Sequence, residues 1–313
     1  MTPGYLALQH NAAILDLSAR GRIRVTGEDR ARLLHAMTTN HVQQLQPGQG
    51  LYAFFLNAQG RIQADAYVLC FDDHFLLDTE PETRELIYEH LDRYIIADDV
   101  TLEDVSAETF CLGLEGPGAA SVVETAALPS PGGAWSHQRA GETVVAAIDW
   151  TGAGGVRLYG PSANRAHVVA TLEAAGAVEA AADDAEHVRL QHYKPRFGID
   201  ITENTLPQES QQMFALHFQK GCYLGQEIVE RIRSRGHVNK HLMGFRLEGH
   251  AAPPPHTQLF AGGKEAGGVT SSTICPEGKV YGLAYVRVPY NKPGSTVGID
   301  GRPAELFAPA GAC

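Results

Sequence analysis

Lys220-Gly221-Cys222-Tyr223-Leu224-Gly225-Gln226-Glu227 sets a thiol two residues from an ammonium, just ahead of a helix-forming run. Ile228, Val229 and Ile232 fall on one helical face with charges on the other. Glu227 and Arg231 are four apart, the favourable order for an ion pair, and Gly236 is a stop signal. The start of such a helix offers free amides and a positive dipole end, and both favour a thiolate. If Lys220 to Cys222 is extended, ammonium and thiol share a face. On this reading Cys222 is a reactive or metal-competent thiol and Lys220 its electrostatic partner. The alternative is a small residue packed at a loop–helix junction, where unpaired cysteines usually lie buried and inert. The lysine, the paired glycines and the helix start together favour the functional reading. His217 and His237 flank the motif as candidate bases for a thiol enzyme, or as surface histidines.

The other cysteines offer neither a helix start nor a neighbouring cation. Cys70 and Cys111 end or sit within apolar strand-like runs, Cys275 precedes a proline, and Cys313 is terminal. Five scattered cysteines with no Cys-x-x-Cys pair predict neither a structural metal nor a disulfide framework, and they point to a reducing, cytoplasmic setting. A net charge of −11 opposes general binding to nucleic acid or anionic membranes. Between Lys220 and Arg246, however, six Lys/Arg face two acids, a local +4 that suits a small anion or an acidic partner patch. No segment approaches the ~18–20 apolar residues of a membrane span. The first ten residues show no basic region followed by an apolar run, so no leader is expected.

The elements that must position these groups are mixed. At 313 residues the chain exceeds one core, so two or more domains are expected. Arg22-Ile-Arg-Val-Thr alternates as a strand, and Thr26-Gly-Glu-Asp reads as a capping box before a helix through Leu33, Leu34 and Met37. Strands at 51–56 and 61–69 flank Asn57-Ala-Gln-Gly60, a hairpin turn. After Thr79-Glu-Pro-Glu-Thr a helix carries Leu86, Ile87, Leu91 and Tyr94 on one side. Strands near 100–105, 109–114, 143–148 and 155–159 interleave with helices near 119–126 and 164–174, and an Ala-rich helical stretch spans about 178–193. Lack of strict alternation predicts an α+β fold rather than a doubly wound sheet. No dinucleotide loop, P-loop or internal repeat is present. Beyond Gly236 six short strands separated by Gly/Pro turns predict a small antiparallel barrel or sandwich, giving regions 1–240 and 241–313.

Lys-Gly-Cys-Tyr-x-Gly-Gln-Glu at 220–227 resembles the signature of the YgfZ family, folate-binding proteins of iron–sulfur cluster assembly and repair. That family shares its fold with the glycine-cleavage T-protein, an aminomethyltransferase. Arg196 to Glu209 resembles the T-protein segment whose closing Glu contacts the folate ring, and Gly60 to Asp65 resembles the hairpin carrying its acidic folate-site residue. Segments 267–272 and 282–287 resemble its C-terminal barrel. The resemblance implies a T-protein-like α+β fold closed by an antiparallel β-barrel, with two lobes and the barrel ringing a central hole that takes tetrahydrofolate. It implies Cys222 and Lys220 at the reactive centre, with Glu209, Asp65, Arg231, Tyr223, Gln226 and Glu227 on the folate side. T-proteins often have two adjacent acids where this chain has Ala64-Asp65, and they generally lack the Cys.

A pterin needs a flat apolar slot and an acceptor for its paired N–H groups. Glu209 could supply the acceptor and Asp65 could contact a ring nitrogen; locally, each also reads as an exposed loop or strand residue. The primary expectation is a tetrahydrofolate-binding accessory factor for iron–sulfur proteins, with iron–sulfur assembly or client proteins as partners. Cys222 would serve as redox thiol or transient cluster ligand, with no stably bound metal or cluster, since one thiol cannot complete a four-ligand site. The alternatives are a folate-dependent aminomethyl or one-carbon transferase and a Cys–His hydrolase.

Overall fold

The computed structural model describes residues 1–312, so Cys313 lies outside the described residues. The alternating run near the N-terminus forms the strand Gly21–Thr26 inside a five-stranded antiparallel sheet. In order across that sheet lie Gly50–Leu56, Ile62–Cys70, Phe75–Thr79, Gly21–Thr26 and Thr101–Asp104. The expected hairpin turn joins the first two, with the Asn57 side-chain oxygen accepting the amides of Gln59 and Arg61 at 3.0 Å each. Helices Arg30–Met37 and Arg84–Tyr94 cover one face, burying Leu33, Leu34, Ile87 and Leu91 on Ile23, Val25 and Leu77.

Two local expectations differ from the structure. Asp29, not Thr26, precedes the helix at Arg30, and no side chain caps it. Asp29 instead exchanges contacts with Asp99, whose amide reaches Asp29 Oδ2 at 3.0 Å, so a distant loop holds the helix start. Leu86 and Tyr94 are exposed while Ile87 and Leu91 are buried. The buried pair is spaced i,i+4 and stacks on one face, whereas Leu86 lies one position, about 100°, round the helix.

A second, six-stranded sheet orders Val178–Glu179, Ala13–Asp16, Thr109–Glu115, Gly155–Pro161, Thr143–Ala146 and His137–Ala140. Helices Ala119–Thr125 and Arg165–Ala174 pack on it through Val122, Val123, Val168 and Leu172. The C-terminal strands close into a six-stranded antiparallel barrel from Lys240–Glu248 to Arg302–Phe307. The fold is therefore α+β with a closed C-terminal barrel, as the element order implied.

What joins the three bodies is the segment after helix Ala182–Gln191. Asp200 there accepts Arg189 at 2.7 Å, and Thr270 and Ser271 of the barrel at 2.6 and 2.5 Å. Its charge is thus matched at a junction from which water is excluded. Tyr52, Phe54, Leu190, Phe197, Tyr223, Leu242 and Leu283 then form one apolar cluster drawn from the first sheet, the connecting segment and the barrel. That cluster is the centre of the molecule, and both candidate sites border it.

Candidate functional site

The motif loop closes a helix belonging to another part of the chain. Helix Arg30–Met37 ends with unpaired carbonyls, and the loop fills them. Lys220 Nζ donates to Thr38 O and to His35 O, Leu224 N donates to Ala36 O at 3.2 Å, and His217 N to Thr39 O at 3.0 Å. Lys220 is only 5% exposed, and its ammonium also lies 4.8 Å over the Tyr223 ring. Burial pushes this lysine down to about 7. Lys220 therefore points inward, whereas Cys222 is exposed, so the two side chains do not share a face. Among the described residues the other cysteines, Cys70, Cys111 and Cys275, are buried.

The helix after the motif runs Gln226–Arg235, so Cys222 precedes it by four residues instead of starting it. Gly225 takes the N-terminal position at φ 82, a left-handed conformation, and a β-carbon there would meet Asn57 O at 2.5 Å. Gly60 of the hairpin turn likewise abuts Ile228. Gly225 of the motif and Gly60 of the turn thus let the hairpin carrying Asp65 seat directly on the thiol loop. Tyr223 is buried in the central cluster, Gln226 opens the helix, and Glu227 and Arg231 are exposed. Among the described residues the ion pair on this helix is Glu230–Arg233 at 3.0 Å, not Glu227–Arg231. His237 is exposed, and His217 stacks edge-on with His41 at 5.0 Å.

Asp65 sits on strand Ile62–Cys70 facing the junction and is 7% exposed. Tyr52 Oη donates to Asp65 Oδ2, and burial with the neighbouring Glu80 pushes the carboxyl up to about 7. Beside it Tyr52 and Tyr67 stand ring against ring at 5.0 Å, and the stack continues from Tyr52 to Phe214 and on to Trp135 at 5.5 and 5.4 Å. The cleft at Asp65 is about 30 Å3 and shares Arg20, Glu80, Trp150 and Arg196 with a cavity of about 560 Å3. Glu209 does not line this cleft. It is buried on the turn Pro207–Ser210, where Oε2 accepts Leu206 N at 3.0 Å.

Beneath the cleft lies a charge network. Asp78 binds Arg20 at 2.6 Å, Arg157 at 2.7 Å and the Tyr159 hydroxyl, while Glu80 binds Arg20 and, at 2.9 Å, Arg196. The two guanidiniums hold the Asp78 carboxyl far below its ordinary value despite complete burial. This lattice pins both sheets and the connecting segment around Asp65. Its sequence signal is a charge at an inward position of an apolar strand, as in Phe75–Thr79 and Gly155–Pro161. A second unanticipated group is His35, 8% exposed, with its ring 4.6 Å from His41. Among the described residues no group of three or more His, Cys, Asp and Glu side chains stands together to hold a metal ion. No described helix is long and apolar enough to cross a membrane.

Three bodies meet at an aromatic junction beside the buried Asp65 and Glu80, and this arrangement is that of a known family. Residues 4–220 match the GCVT N-terminal domain and residues 240–308 the glycine cleavage T-protein C-terminal barrel domain. The chain belongs to the glycine cleavage T-protein family. It is 31% identical to an aminomethyltransferase of Rubrobacter xylanophilus over 95% of this chain and 82% of that protein. It is 28% identical to an aminomethyltransferase of Geobacillus kaustophilus over 96% of this chain and 86% of that protein. In fold it matches the crystal structure of glycine cleavage system aminomethyltransferase T from Bartonella henselae, with TM-score 0.86 and 19% identity, covering 99% of this chain and 88% of that one.

Proposed function

We propose that this chain binds tetrahydrofolate at the lobe junction and supports the assembly or repair of iron–sulfur clusters through Cys222. The observation that carries the reading is the exposed thiol on a loop that packs against the hairpin bearing the buried Asp65. The aromatic rings about Asp65 suit a flat pterin, and a carboxyl near 7 can donate or accept a proton there. The ring would enter the adjoining cavity of about 560 Å3, with Tyr52, Asp65 and Tyr67 at its inner end past Glu80 and Trp150. Glu209 is the proposed second acceptor, reached once its carboxylate releases Leu206 N–H. Tyr223, Gln226, Glu227 and Arg231 belong to the loop and helix that follow Cys222. A thiol that soft metals prefer, exposed ahead of a helix that carries Arg231 and Arg235, suits an anionic cluster shared with a partner protein.

The second reading, aminomethyl transfer to tetrahydrofolate, is favoured by the relatives' names and by Asp65 itself. It needs no thiol. Calorimetric titration with tetrahydrofolate, followed by an assay for 5,10-methylenetetrahydrofolate formed from an aminomethyl donor, separates the two. Binding without turnover supports the accessory role; turnover retained in Cys222→Ser supports the transferase; absence of binding sinks both.

A further inference from the structure

A second cavity, about 740 Å3, lies between the connecting segment and the outer wall of the barrel, apart from the cleft at Asp65. Strands Lys240–Glu248 and Lys279–Arg287 run antiparallel there, with Lys240 directly opposite Arg287. Such partners point to the same side with their β-carbons about 5 Å apart. Val286 packs inside the barrel, so Tyr285 and Arg287 face outward, and Lys240 with them; all three line the cavity.

Two like charges set opposite each other on one face cost stability. The cavity's two acids do not relieve Lys240. Glu265 reaches Arg287 at 2.6 Å, and Asp200 is held by Arg189, Thr270 and Ser271. Lys240 instead rests its ammonium 4.4 Å over the Tyr285 ring. Gly268 lies opposite Tyr285 and shares the face. A β-carbon at Gly268 would meet nothing nearer than Thr257 O at 3.9 Å, and its φ is not positive. Neither backbone nor packing demands glycine there, and the missing side chain leaves the space beside Tyr285 open.

We propose that this cavity binds a small organic anion, its phosphate or carboxylate clamped between Lys240 and Arg287 and its body lying over Gly268. An oxyanion between the two cations replaces their repulsion with charge-assisted contacts, and the volume suits a ligand of metabolite size. Ile199 lines both this cavity and the one of about 560 Å3, so two sources fit: a separate ligand, or the glutamate carboxylates of tetrahydrofolate reaching past Ile199. The clamp uses neither Cys222 nor Asp65, so its failure leaves the function proposed above untouched, and the reverse holds too.

Pyrophosphate and citrate serve as probes, titrated calorimetrically into the full chain at low salt, with thermal melts alongside. Wild type should bind at least one of them and melt higher in its presence. Lys240→Met should weaken binding at least ~10-fold, yet without anion it should melt no lower than wild type, since the repulsion from Arg287 goes with the charge. Gly268→Val keeps both cations, fills the space beside Tyr285 and should also weaken binding; it decides the matter if Lys240→Met melts early. No binding of either probe by wild type, or wild-type affinity in both variants, overturns the clamp. With the clamp upheld, competition between the bound probe and tetrahydrofolate assigns it to the folate's own carboxylates, and undiminished probe binding beside saturating tetrahydrofolate assigns it to a separate ligand.

Discussion

Replacing Lys220 by methionine tests whether this lysine holds the motif loop in place. The variant keeps the aliphatic stem against Tyr223 but leaves the carbonyls of His35 and Thr38 without their donor in a buried place. Each stranded carbonyl costs about 1–3 kcal/mol, and removing a desolvated ammonium returns part of it, leaving a net loss of roughly 2–3 kcal/mol. For a chain of this size that is a fall in Tm on the order of 3–5 °C. The loss depends on pH with a definite sign. Burial lowers Lys220 from 10.5 to about 7, so between those values the unfolded chain binds a proton that the folded chain does not. Stability contributed by Lys220 is fully present above the unfolded value and is lost as pH falls through about 7. The gap between wild type and Lys220→Met should therefore widen from pH 7 to 10 in thermal melts. Alkylation of Cys222 by iodoacetamide at pH 8 and 20 °C should change less than about twofold, because Lys220 Nζ is turned to the helix end. An unchanged Tm with strongly slowed alkylation would show that Lys220 serves the thiol instead.

Asp65→Asn should reverse a different pH dependence: with the carboxyl raised to about 7, its stabilising effect is present below the ordinary carboxylate range and is lost as pH rises through 7. The variant should be more stable than wild type at pH 8 by on the order of 1–2 kcal/mol and little different at pH 5, as urea melts at the two pH values would show. Gly225→Ala should cost about 2–3 kcal/mol, since the left-handed φ and the contact with Asn57 O both oppose a β-carbon, and hydrogen exchange should show the hairpin at 57–60 loosening. Glu209→Gln should weaken tetrahydrofolate binding by roughly 10–100-fold while Cys222→Ser leaves it unchanged; equal affinities by calorimetry would remove Glu209 from the site.

Much of this was legible in the sequence because it depends on local pattern. The hairpin at Asn57–Gly60 follows from its turn residues, and the barrel strands Gln258–Ala261 and Thr296–Ile299 follow from Gly/Pro punctuation. The motif located the thiol loop, but not what its residues touch. Lys220 looks like a partner for Cys222 only when the chain is read along its length. Its actual acceptors lie 182 and 185 residues away at a helix end. The same holds for Asp29, whose carboxylate accepts the amide of the distant Asp99. The buried lattice of Arg20, Asp78, Glu80, Arg157 and Arg196 is tertiary throughout. Three guanidiniums and two carboxylates from four separate segments pair only once both sheets meet.

The central claim is tested most directly by iron–sulfur enzyme activity in cells lacking this chain, complemented with wild type or Cys222→Ser at matched abundance. The purified Ser variant must first be shown to melt at the wild-type temperature and to bind tetrahydrofolate normally. Wild type should restore a cluster-dependent dehydratase and Cys222→Ser should fail to. Full rescue by Cys222→Ser would contradict the account and leave Cys222 as a surface residue on a folate-dependent transferase.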